Sequence, residues 1–367
     1  MQVIESKKNS ILIALNLFFV LALVLAYIGS VVSPLQFILP IYFIIGFPII
    51  LIVNVLFIAY WIYNRKWYFL ISTLALILLY KSVFIIFPVH FKHQTIENAK
   101  KQLVIISYNT NSNSKVQKHC LNNPNGVIKY LLDENPDIIC IQEYYVKNDS
   151  AHLTQLDVNK IFEKYPYKYI KFDYNNYDNM TGLATFSKYP IINTKRIKYE
   201  SIFNASMYSD IVIQNETIRV FNNHLESNRF SGNDLMLSQQ LKNDMNGFSL
   251  LNKTQYFSQK LQIAYPVRAK QAEAVSEIIK STPYKVIVCG DFNDVPLSYA
   301  YTKVKGKLND AFVENGTGFG WTYYSSTYKL RLDYIFYDAN FEVLNFEIGK
   351  NKSSDHYPIK CVLKMKF

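Results

Sequence analysis

Six short polar motifs follow one another along this chain: Ser107-Tyr108-Asn109, Gln142-Glu143, Asn223-His224-Leu225, Gly290-Asp291-Phe292-Asn293-Asp294, Arg331-Leu332-Asp333-Tyr334 and Ser354-Asp355-His356. Each sets Asn, Asp, Glu or His at or just past the end of an apolar run, so strand ends on one rim would bring them together. Carboxylates and amides with two histidines suit a hard cation bound to a phosphate. Glu143 follows Ile138-Ile139-Cys140-Ile141-Gln142, and a charge so close to a core is costly unless paired or metal-bound; an exposed strand end is the plainer account. Gly290 permits a tight turn, after which Asp291 and Asn293 project to one side. A carboxylate there can take a proton from water while the amide orients a phosphate oxygen, although an Asx-rich turn has the same spelling. Asp333 with His356 is a carboxylate–imidazole pair of the kind that fixes a tautomer and raises basicity. A lone histidine would more often be structural, and Asn109 alone could simply make a turn.

The order and spelling of the motifs resemble the endonuclease/exonuclease/phosphatase family, which includes deoxyribonucleases, apurinic-site endonucleases, inositol-polyphosphate phosphatases and sphingomyelinases. The resemblance covers about residues 101–367. It implies an α/β fold, a two-sheet β-sandwich flanked by helices, with the active site at one end. It implies Glu143 as the principal magnesium ligand, with Asn109 beside it and Asp355 close to the metal. Asp291 would activate water, Asn293 would orient the nucleophile or transition state, Asp333 would orient His356, and His224 would be a second phosphate-contacting histidine. The apurinic-site branch uses a tyrosine in that last place, so His224 tilts the reading away from it. The implied cofactor is Mg2+, with Mn2+ as a substitute, and the implied reaction is hydrolysis of a phosphoester by in-line attack of water. Nucleic acid, a phospholipid headgroup and a soluble phosphorylated metabolite all remain open as substrates. A catalytically silent binding or scaffold domain on the same fold is the alternative function.

The elements that must position these residues divide the chain unevenly. Residues 1–100 hold seven Lys/Arg and two Asp/Glu, leaving 32 of 39 and 26 of 28 for the remainder, a net +6 there. That balance favours phosphorylated or anionic partners without singling out nucleic acid. Three apolar runs, about Ile11–Val32, Leu35–Tyr63 and Trp67–Pro88, are each long enough for a membrane span. They are expected as three transmembrane helices of an anchor over 1–100, ending in a polar linker, with a metal-dependent phosphoesterase domain over 101–367. Lys7, Lys8, Arg65 and Lys66 mark the cytoplasmic side. The chain is then integral to the inner (cell) membrane, with its catalytic domain periplasmic or otherwise extracytoplasmic, although Lys92, Lys100 and Lys101 argue the other way. Because all six motifs lie in 101–367, that span is expected to fold and act without the anchor.

Within it, apolar strands are expected at Leu103–Ser107, Asp137–Gln142, Thr181–Phe186, Lys285–Cys289, Tyr334–Tyr337 and Ile359–Lys364, a hairpin about Asn215-Glu216, and helices at Gly126–Asp133 and Val267–Lys280. Residues 228–266 carry no clear period and read as an insertion beside the cleft. Cys140, Cys289 and Cys361 sit inside strand patterns and are expected as buried free thiols.

Overall fold

A computed structural model describes residues 2–90, 102–114, 119, 124–149, 151–176, 178–199, 201, 204–228, 247–324 and 328–366. Two six-stranded sheets form the larger part. The first runs β13 (Phe341–Ile348), β14 (Ile359–Met365), β1 (Gln102–Asn109), β2 (Ile138–Lys147), β4 (Asn179–Ser187), β3 (Tyr167–Asn176). The second runs β5 (Ile191–Ile197), β6 (Ser206–Ile213), β7 (Glu216–His224), β8 (Lys285–Asp291), β12 (Asp333–Tyr337), β9 (Asn309–Asp310). A small ribbon, β10 (Tyr323–Tyr324) and β11 (Lys329–Leu330), stands apart.

Among the described strands two pairs are parallel, β1 with β2 and β7 with β8. Parallel neighbours need a crossover, and helices Gly126–Glu134 and Gly247–Ser281 supply them. The inner faces meet in a core that includes Ile105, Cys140, Val220, Cys289, Ile335 and Cys361. The three cysteines are buried and free, as expected; Cys120 lies outside the described residues. Strands β1 and β8 are covered on both sides, which is why they read as unbroken apolar runs.

The helix expected over Val267–Lys280 begins much earlier, at Gly247, and continues through Pro266. The aperiodic reading of 228–266 therefore fails for 247–266, while 229–246 lie outside the described residues. Edge strands β3, β5 and β13 were not anticipated, because their mixed composition carries no apolar run.

The N-terminal part is helical but does not form three separate spans. Helix α1 (Gln2–Val31) contains Lys7–Val31, which is long and apolar enough to cross a membrane. The second run is broken at Gly46 into α2 (Pro40–Ile45) and α3 (Phe47–Tyr63, 17 residues). Pro48 lies in the first turn of α3, where proline starts a helix more readily than it continues one. The third run is α4 (Phe69–Leu78) and α5 (Tyr80–Ile86), bent by 75°. These helices turn the soluble pattern inside out. Ile11, Phe18, Ile49, Leu56, Ile77 and Leu78 are exposed, whereas Asn16, Asn54 and Ser72 are fully buried. The three polar residues and Trp61 form a chain: Asn16 Nδ2 donates to Ser72 Oγ (2.6 Å), Ser72 Oγ to Asn54 Oδ1 (2.8 Å), and Trp61 Nε1 to Asn16 Oδ1 (3.2 Å). Polar groups joining helices from within are a means of helix association in lipid.

The helices pack on the rest of the protein, chiefly on loops and on the long helix, rather than hanging free. Ala22, Leu23, Ile44, Phe47 and Ile86 form one apolar cluster with Leu297, flanked by Val295 and Phe319. Arg331 Nη2 donates to Ile85 O (2.8 Å), Gly318 N to Pro88 O (3.0 Å), and the Tyr42 hydroxyl lies 2.5 Å from Ser258 Oγ. An autonomous fold for 101–367 would expose this interface.

Candidate active site

Strand register assembles the site. His224 pairs with Asp291 across β7 and β8, Asp333 pairs with Asp291 across β12 and β8, and Asn109 pairs with Gln142 across β1 and β2. The motifs thus meet as one row over the ends of the central strands. Gly290 makes the close approach possible. Its φ is +146°, and a Cβ there would stand 2.1 Å from Asn223 O, so only glycine fits. Glu143 does not lie past its strand, as the sequence suggests, but inside β2 at a register shift between Ile141 and Tyr144, with φ +52°. This bulge turns the carboxylate out of the core and into the cleft.

The row is continuous. Glu143 Oε1 lies 3.8 Å from His224 Nε2, which lies 3.8 Å from Asp291 Oδ2. Asp291 Oδ2 lies 3.7 Å from His356 Nε2, and His356 Nδ1 is bonded to Asp333 Oδ2 at 2.8 Å. Asn109 Nδ2 donates to Asp291 Oδ2 (2.8 Å) and Asn293 N to Asp291 Oδ1 (2.7 Å). The Asn293 amide is held by Leu225 O at 2.9 Å. Ser354 Oγ ties the last motif to β1 through Asn109 O (2.8 Å). All eight sequence-predicted residues, Asn109, Glu143, His224, Asp291, Asn293, Asp333, Asp355 and His356, come together here, and all but the buried Asp333 line one cavity of about 930 Å³.

Burial raises the Asp291 carboxyl above its usual range, against the pull of His356. Burial, with the charge of Glu143 added, likewise raises Asp355, again opposed by His356. For His356 burial alone would favour the neutral ring, but Asp333 and Asp291 outweigh it and push the imidazole up to about 10. Asp333, Asp291 and His356 offer atoms within 4.8 Å of one another. With Nδ1 already taken by Asp333, that trio reads better as an imidazolium held between two carboxylates than as a metal's ligand set. The oxygens turned toward open space are those of Glu143 and Asp355. Among the described residues no Lys or Arg forms an ion pair with Glu143, Asp291, Asp333 or Asp355. Asp333 Oδ1 also lacks a hydrogen-bond partner among them. Glu143 and Asp355, without a Lys or Arg partner among the described residues and with the Asn109 amide in the same cavity, fit a hard divalent cation.

The family model of the Endonuclease/Exonuclease/phosphatase family matches residues 106–356. The chain belongs to this family. Another family model, Domain of unknown function (DUF8431), matches residues 9–85. No curated protein matches the chain. Among solved structures, an endonuclease/exonuclease/phosphatase from Bacteroides vulgatus is 16% identical, covering 73% of this chain and 100% of that one, with a TM-score of 0.50. A family protein from Leptotrichia buccalis is 16% identical over 72% of this chain and 100% of that one, TM-score 0.47. D. rerio TDP2 complexed with single strand DNA product is 16% identical over 72% and 99%, TM-score 0.46. At such identity the likeness is one of fold alone.

In this endonuclease/exonuclease/phosphatase site, two residues escaped the sequence reading. Asp173, on edge strand β3, lines the cavity and pairs with Arg196 at 2.7 Å. Burial raises its carboxyl, against Arg196 and His224. Nothing in its neighbourhood of the sequence marks it. Arg268 is fully buried, 2.9 Å from Asp294, whose Oδ1 also accepts from the Tyr265 hydroxyl (2.9 Å). Arg268 stands four residues before Ala272 on the apolar helix face, and a charge there was the available signal.

Proposed function

We propose that the protein is a membrane-anchored, magnesium-dependent phosphodiesterase. The observation that carries this reading is the row Glu143, His224, Asp291, His356 and Asp333, continuous at 2.8–3.8 Å along one cleft. Glu143, Asn109 and Asp355 would hold the metal, which when bound neutralises phosphate oxygens and stabilises the leaving oxygen. Asp291 takes a proton from the attacking water, its basicity increased by burial. Asn293 orients that water or a phosphate oxygen. Asp333 keeps His356 protonated and directed at the cleft, so that His356 and His224 donate where negative charge grows on phosphorus. One water is consumed, one P–O bond breaks, and a phosphomonoester and an alcohol leave. Every position required for catalysis carries a polar residue, which speaks against a silent scaffold.

Anchoring is supported by the inverted helices, apolar outside and polar within. The basic turn Arg65-Lys66 lies at the end of α3 away from Gly46, about 25 Å along a 17-residue helix. If that turn is cytoplasmic, the cleft is extracytoplasmic. The test is the purified full chain against bis(p-nitrophenyl) phosphate with magnesium or EDTA. Turnover that appears with magnesium or manganese and vanishes with EDTA is expected; equal turnover in both would exclude the metal role.

A further inference from the structure

The cleft is lined by apolar as well as polar residues, and one of the apolar ones comes from the N-terminal helices. Ile45, the last residue of α2, lines the cavity with Leu261, Val295, Leu330 and Leu332. Ile45 is 40% exposed, and Ile49 and Ile52 of α3 and Ile263 of the long helix are exposed as well. Tyr42 fixes this junction, its hydroxyl meeting Ser258 Oγ and accepting from Gln262 Nε2 (3.2 Å). No Lys or Arg lines the cavity among the described residues. A nucleic acid or a polyphosphorylated metabolite carries several charges, for which the described lining residues offer no Lys or Arg. A molecule with one phosphodiester and a long apolar remainder matches both kinds of lining, and a volume of about 930 Å³ lies at the upper end of ordinary ligand sites.

We propose that the substrate is a membrane glycerophospholipid. This rests on the phosphodiesterase reading above. The phosphodiester lies over the Glu143–His356 row, and the acyl chains leave along Ile45, Leu261 and Val295 toward the bilayer that surrounds α1 and α3. Hydrolysis adds water to phosphorus, breaks one P–O ester bond, and passes the proton to the departing alcohol oxygen.

The full chain in detergent micelles with magnesium is assayed on dihexanoyl phosphatidylglycerol, phosphatidylethanolamine and phosphatidylcholine. Each is set against its deacylated glycerophosphodiester, with bis(p-nitrophenyl) phosphate and a short single-stranded oligonucleotide alongside. At least one lipid should exceed its deacylated partner in kcat/KM by about tenfold or more, as apolar pockets discriminate. Ile45→Asp, and independently Leu261→Asp, should lower the ratio of lipid to bis(p-nitrophenyl) phosphate turnover by a similar factor. A non-hydrolysable phosphonate lipid with a diazirine in its chain should label peptides containing Ile45 or Leu261. If bis(p-nitrophenyl) phosphate is cleaved but lipids show no advantage over deacylated diesters, or the oligonucleotide is preferred, the lipid inference falls and the phosphodiesterase reading stands. If no phosphodiester is cleaved, both fall.

Discussion

Asp291 is the residue on which the other site groups converge: Asn109 and Asn293 donate to it, and both histidines face its Oδ2. Asp291→Asn keeps the shape and removes the base, so turnover should drop by about 10²–10⁴-fold with the thermal transition little changed; near wild-type turnover in a folded variant would show that the base lies elsewhere. His356 gives a second prediction. Its folded-state value, raised to about 10 against 6.5 for the free ring, means that protonation stabilises the fold fully below about pH 6.5, and that this contribution fades as pH rises through 10. In metal-free protein the ring resonances of His356 should still report imidazolium at pH 8 by NMR, and Asp333→Asn should bring the transition down toward neutrality. A wild-type transition near 6.5 would contradict the held imidazolium. These residues were legible because each sits at or just past an end of an apolar run, where the core can no longer accept its polar group. Asp173 was not, since an edge strand mixes polar and apolar residues anyway and a single Asp on it breaks no pattern.

At the scale of elements, the central strands were legible for the same reason that they are central. Burial on both faces demands apolar runs such as Leu103–Ser107 and Lys285–Cys289, and these reappear within β1 and β8. What sequence could not supply was the extent of the long helix, because 228–266 shows no clear period although the helix already runs from Gly247 through Pro266. This helix carries Arg268 onto the turn after β8, where the guanidinium also donates to Glu226 O at 2.9 Å and Asn228 Oδ1 at 2.7 Å. Arg268→Met should strand the buried Asp294 and cost about 3–5 kcal/mol of stability, read as a fall in the chemical-denaturation midpoint. A loss below about 1 kcal/mol would mean that the pair is better solvated than its burial indicates.

At the scale of the whole molecule, the three apolar runs were visible in sequence, but their breaks and their packing on the loops and helices of the larger part were not. Gly46 and the α4–α5 bend serve contacts made hundreds of residues away, with Ser258, Leu297 and Arg331. Removing residues 1–100 leaves Arg331 Nη2 without its Ile85 acceptor and uncovers Val295, Leu297 and Phe319. The truncated protein should therefore elute as aggregates in size-exclusion chromatography and become monodisperse in mild detergent; a monodisperse, equally stable fragment without detergent would show the interface to be dispensable. The Asn16–Ser72–Asn54 network carries a further consequence. Each of these three side chains is completed by a helix other than its own, so any one helix carried alone into lipid would arrive with an unfulfilled amide or hydroxyl. The trio is thus a single heritable part, and a chimera that borrows one of the helices as a generic tether would misassemble where a graft of the entire bundle would not.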